Sequence, residues 1–122
     1  MNRIINSLRA DAGVSALLSD FIYLDQASDR NGYPYLVISM QNEKSGMTLS
    51  GPNGTDQGMY DFDLYTKSKR QRGQIMTALR AWGKANNSKP EIRVIERNRR
   101  TGYDNTREAS HGLVEFSIWL RN

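Results

Sequence analysis

Hydrophobic and polar positions alternate along this chain with changing period, and the changes mark its elements. Residues 3–18 carry Ile4, Ile5, Leu8, Val14, Leu17 and Leu18 at helical spacing, so the chain opens with a predicted helix. Gly13 is costly inside a helix, and Asp11 is placed to cap a second short segment there. Ile22–Leu24 reads as a short extended piece, followed by a polar link over 24–33. Pro34 disfavours helix at Tyr33 and leads into a strand over 35–42. In that strand Leu36, Ile38 and Met40 share one face, and Tyr35, Val37 and Ser39 share the other.

Residues 43–58 are rich in Gly, Ser and Thr, and Gly51-Pro52-Asn53-Gly54 is a strong turn signal. The cleanest alternation follows. Tyr60, Phe62 and Leu64 point one way and Asp61, Asp63 and Tyr65 the other, as in a half-buried antiparallel strand. Ser68 and Gln71 have the spacing of a capping box. The helix behind them aligns Ile75, Leu79 and Trp82 on one stripe and should end near Asn86, ahead of Pro90. Ile92–Arg97 is the next strand, residues 98–111 a polar and basic connection, and 112–121 the last strand, with Val114, Phe116, Ile118 and Leu120 buried. The expected fold is α+β, one domain over residues 1–122. It has an antiparallel sheet of about four strands with two helices packed on one face, in the order α-β-β-α-β-β.

Two connections, 43–58 and 98–111, are far longer than the two to five residues that usually join antiparallel neighbours. Loop closure penalises length weakly, about 0.6 kcal/mol per doubling, so short turns would serve the fold as well. Both segments therefore read as arms for a partner. The 98–111 arm and its approach carry Arg97, Arg99, Arg100, Tyr103 and Arg107.

Charge sharpens this picture. Residues 1–63 hold 4 Lys and Arg against 8 Asp and Glu, net −4, whereas residues 64–122 hold 13 against 5, net +8. A molecule with an acidic half and a basic half can set its register against a neighbour by complementarity. Asp61 and Asp63, about 7 Å apart on one strand face, are the candidate acidic interface. Lys67, Lys69, Arg70 and Arg72, around a helix N-terminus suited to an anion, are the candidate basic interface.

Composition narrows the chemistry. The chain has no cysteine, which excludes disulfides, thiolate zinc sites and cysteine nucleophiles. Its single histidine, His111, has no second histidine with which to share a metal and no recognisable nucleophile pattern around it. No catalytic residue, cofactor or metal is expected. Gly51-Pro52-Asn53-Gly54 lacks the Lys and Ser/Thr of a phosphate-binding loop. The apolar fraction is 38% and no apolar run approaches the roughly 20 residues of a membrane span. The N-terminus lacks a signal-peptide apolar region, so the expectation is a chain made in the cytoplasm, without a membrane partner.

The order of the first elements adds identity. A helix runs into Phe21-Ile22-Tyr23, then a polar link ends at Tyr33-Pro34-Tyr35, then a strand follows. This resembles the opening of small phage tail completion and tail terminator proteins, with Phe21 where arginine commonly stands. The resemblance is clearest over residues 1–40 and continues through the Tyr60–Tyr65 strand, the next helix and the C-terminal strand. It implies a structural virion protein without enzymatic activity. Such a protein forms a ring, usually a hexamer, on the head-proximal end of the tail, after assembly in the host cytoplasm. Its partners would be the tail tube protein and the head–tail connector, with phage DNA crossing the central channel without sequence-specific binding. Two readings from other classes stand beside it. One is a small nucleic-acid-binding module using the arginines of 93–107 with Tyr103. The other is a metal-free ribonuclease-like toxin using His111 with Arg107 or Glu108.

Overall fold

A computed structural model describes residues 2–19, 21–24, 32–41, 49–50, 55–106 and 108–121. It contains helices α1 (Asn2–Ala10), α2 (Ala12–Leu18) and α3 (Lys69–Ala85). The strands are β1 (Ile22–Leu24), β2 (Tyr35–Met40), β3 (Leu49–Ser50), β4 (Thr55–Thr66), β5 (Ile92–Asp104) and β6 (Ala109–Arg121).

Asp11 divides the leading helix in two. Its backbone is extended, and its carboxylate accepts the Val14 N–H at 3.0 Å as the N-cap of α2. Ser68 caps α3 by accepting the Gln71 N–H at 3.1 Å, while Gln71 returns to the Lys67 N–H at 3.3 Å. At the far end Asn86 closes α3 and donates its side-chain amide to the Trp82 carbonyl at 2.8 Å.

The sheet corrects the expected architecture. Five strands lie in the order β1-β2-β4-β6-β5, with the two-residue β3 pairing to β4 beside β2. The sheet is mixed, because β1 runs parallel to β2 with Ile22 opposite Leu36. Among the described residues there are three helices, not two. The parallel pairing left no sign in the sequence, since the three residues of β1 carry no direction; residues 25–31 of the link to β2 lie outside the described residues. Of the first long connection, Leu49–Ser50 pair as β3 with β4, which begins at Thr55; residues 43–48 and the expected turn Gly51-Pro52-Asn53-Gly54 lie outside the described residues. The second connection shrinks. Most of 98–111 is strand: β5 runs to Asp104 and β6 starts at Ala109, after a bulge between Glu96 and Asn98. Residues Glu96–Tyr103 are exposed, so they show no apolar alternation; their pairing comes from the backbone ladder.

One core explains where the helices sit. Ile4, Leu8, Val14, Leu18, Ile75, Leu79 and Trp82 pack on Leu36, Ile38, Phe62, Leu64, Val94, Val114, Phe116 and Ile118, all buried on one face of the sheet. Trp82 lies 5.7 Å from both Phe62 and Phe116 and donates its indole N–H to Ser7 Oγ at 2.9 Å, which ties α3 to α1. Gly83 lets the helix approach the sheet; a Cβ there would lie 2.9 Å from the Phe116 ring. Arg3 fixes α1 to the sheet end by donating to the carbonyls of Arg121 and Glu91 at 2.7 and 2.9 Å. The other face of the sheet carries none of these helices.

Candidate assembly surface

On the helix-free face, side chains line up in rows across the strands. The first row is aromatic: Tyr35 faces Tyr65, which faces His111. Their ring centroids are 5.0 and 4.9 Å apart, and Tyr33 and Tyr23 extend the cluster at 5.5 and 6.2 Å from Tyr35. Tyr35 is 1% exposed although no helix covers it, because its aromatic neighbours do. Lys67 sits 5.7 Å above the Tyr33 ring.

The next two rows hold the charge. Val37, Asp63, Leu113 and Arg100 form one; Ser39, Asp61, Glu115 and Asn98 form the other. Asp63 Oδ1 lies 2.8 Å from His111 Nε2, with both side chains roughly three-quarters buried (27% and 28% exposed). Glu115 accepts from Gln41 at 3.3 Å and from Asn98 at 3.5 Å. Asp61 stands directly across from Glu115, and its Oδ1 is buried without a hydrogen-bond partner. Burial, then the carboxylates of Asp63 and Glu115, push the Asp61 carboxyl above its ordinary range, and Arg100 partly opposes them.

Beyond the carboxylates, β5 presents its basic side chains. Arg97 donates to Ser117 Oγ at 2.9 Å, and Arg93 lies 5.9 Å from the Trp119 ring centroid. The residues expected in an interaction arm therefore lie along the edge strand of the sheet. Arg97, Arg99, Arg100 and Tyr103 are all exposed there, and Arg107 lies outside the described residues. The candidate basic interface divides. Lys67, Lys69 and Arg70 are exposed at the start of α3, whereas Arg72 donates to the Gly102 carbonyl at 2.9 Å and clamps the hairpin to the helix.

The structure thus joins what the sequence kept apart. Asp61, Asp63 and Arg100 share one face, with a single strand, β6, between the acids on β4 and the arginine-rich edge strand β5. Sequence reading missed Glu115 as a third carboxylate and Asp63 as the partner of His111. The alternation of β6 held a clue: Glu115 and His111 share the parity opposite Val114 and Phe116. His111 is an interior residue of β6, not a strand-start residue, and its described neighbours are a carboxylate and a tyrosine ring. Among the described residues no three His, Cys, Asp or Glu side chains could jointly hold a metal ion, and no helix is long and apolar enough to cross a membrane.

The family model described as "Tail completion protein gp17" matches residues 2–121, nearly the whole chain. No curated protein matches it.

Proposed function

The chain belongs to the phage tail completion protein gp17 family, and from that membership we propose that it closes the head-proximal end of the tail tube as a ring. It is a structural component of the virion tail. In the proposed role the ring stops tube polymerisation and offers the surface on which the head–tail connector seats, with DNA crossing its channel. It acts by contact and carries out no chemical step.

One observation supports a ring above other assemblies. The strand order β1-β2-β4-β6-β5 sorts the chain by charge. β1 and β2, at one edge, carry no charged residue; Asp61 and Asp63 lie on β4 in the middle of the sheet; and Arg93, Arg97, Arg99 and Arg100 lie on β5 at the other edge. The two edges are therefore unlike. Copies that meet edge to unlike edge form a heterologous contact, and heterologous contacts close into rings when the rotation allows.

A nucleic-acid platform is less well supported. The aromatic row Tyr35–Tyr65–His111 adjoins three carboxylates, Asp61, Asp63 and Glu115, which oppose a phosphate backbone there.

The test is elongation. Tail tube protein polymerising from short seeds should stop lengthening once this protein is added, at a dose set by tube ends and not by tube mass. Tubes that keep growing at an unchanged rate with excess protein present would overturn the proposal.

A further inference from the structure

We infer that the exposed side of α2, with the adjoining Phe21, packs against the uncovered helix-side surface of β5 in the next copy of this chain. The inference rests on the ring reading and names the two surfaces that would meet in it.

Among the described residues, three large hydrophobic side chains are exposed: Leu17 at 37%, Phe21 at 41% and Tyr103 at 59%. Their placement is not scattered. Phe21 directly precedes β1 at one edge of the sheet, Leu17 lies in the last turn of the helix that leads into it, and Tyr103 lies on β5 at the opposite edge. A surface helix ordinarily turns charged residues outward. α2 has none: Ala12, Gly13, Ala16 and Leu17 are its exposed positions, and no residue from Ala12 to Leu18 is charged. The apolar strip continues into Phe21.

The opposite edge has the converse defect. Arg99, Thr101 and Tyr103 stand across from Val114, Gly112 and Ser110, which puts them on the side of the sheet that the helices cover. Yet they are exposed; α3 reaches this part of β5 through Arg72 at Gly102. One end of the molecule therefore has a helix without a polar outer face. The other end has a stretch of sheet without its helix. Both lie in the same layer.

A two-fold contact would set like beside like. Head-to-tail stacking instead sets α2 of one copy over β5 of the next, so that the apolar strip of the one meets the exposed Tyr103 and Arg99 of the other. Tyr and Arg are the side chains most often found at energetic centres of interfaces. The contact uses side chains and not an added strand, because the outer edge of β5 is blunted. Val94 donates its N–H to the Asn86 carbonyl at 3.0 Å, Arg99 donates its N–H to Asn98 Oδ1 at 2.8 Å, and a bulge lies between Glu96 and Asn98.

The absence of cysteine allows a clean test. Leu17→Cys, Tyr103→Cys and the double variant are prepared, checked for unchanged melting, and oxidised with and without tail tubes. An equal mixture of the two single variants should give a covalent dimer that neither gives alone. The double variant should give a ladder ending at the ring's subunit number. Dimer from Leu17→Cys alone, or rings on tubes without cross-linking in the mixture, overturns this interface while leaving the ring reading standing. Cross-linked rings in solution that fail to stop tube growth uphold the interface and overturn the capping role. Absence of both rings and cross-links overturns both.

Discussion

On the helix-covered face, strands β2, β4 and β6 present mostly apolar side chains sealed by three helices; on the other face, the same sheet presents tyrosines, carboxylates, a histidine and arginines. Phe62 and Asp63 are neighbours in β4, yet one is fully buried against Trp82 and the other pairs with His111. The difference shows how one strand with period two serves two purposes. Its apolar positions hold the subunit together, and its polar positions leave a patterned surface. Perturbing the first face should therefore lower stability strongly, and perturbing the second should lower it weakly.

Four substitutions bear on that contrast. Trp82→Ala removes the largest fully buried side chain and its contacts with Phe62 and Phe116. It should cost about 3–5 kcal/mol in denaturant unfolding. A loss below 1 kcal/mol would show that α3 is not what holds the covered face. Tyr65→Ala removes the ring between Tyr35 and His111. About 1–3 kcal/mol is expected, from two ring contacts and partial burial. A cost equal to that of Trp82→Ala would erase the distinction between the faces.

Asp61→Asn should act in the other direction. Asp61 and Glu115 are like charges directly opposed across β4 and β6, and such pairs are unfavourable by about 0.2–1 kcal/mol. The variant should melt higher near neutral pH. The sign with pH follows from the raised carboxyl. The folded state holds the Asp61 proton more tightly than the unfolded chain, whose value is 3.8, so stability from this group is full below 3.8 and is lost as pH rises through the folded value. The advantage of Asn over Asp should accordingly shrink on acidification toward 3.8. A constant advantage across that range would mean the carboxyl is not perturbed. Smallest of all, His111→Ala breaks a partly exposed pair with Asp63 and should cost at most about 1 kcal/mol. Tube capping should be unchanged by it. A folded variant that no longer caps would assign His111 a role that its neighbours do not reveal.

Legibility in the sequence followed the same division. The covered face could be read from periodicity: Tyr60, Phe62, Leu64, Ile75, Leu79, Trp82, Val114 and Phe116 are buried as their spacing requires. So could the Asp11 and Ser68 caps, because capping depends on local residue type. The distal half of β5 could not. Its residues from Glu96 to Tyr103 are exposed, and an edge strand without a buried side shows no alternation to detect. The parallel β1 pairing was equally silent, since three residues carry no direction. As for the surface, its charges were visible but their grouping was not. Glu115 and His111 join Asp61 and Asp63 only through the β4–β6 register, a pairing across about 50 positions of chain.

The central claim is that this chain closes a tail tube with a ring, and imaging of tube ends tests it most directly. Tubes grown from purified tube protein in the presence of this protein are imaged by electron microscopy, and their ends are averaged separately from their shafts. The account predicts a ring of identical subunits with an open channel at one end of each tube, absent from the other end and from the shaft. Bare ends, or density spread along the shaft, would contradict it.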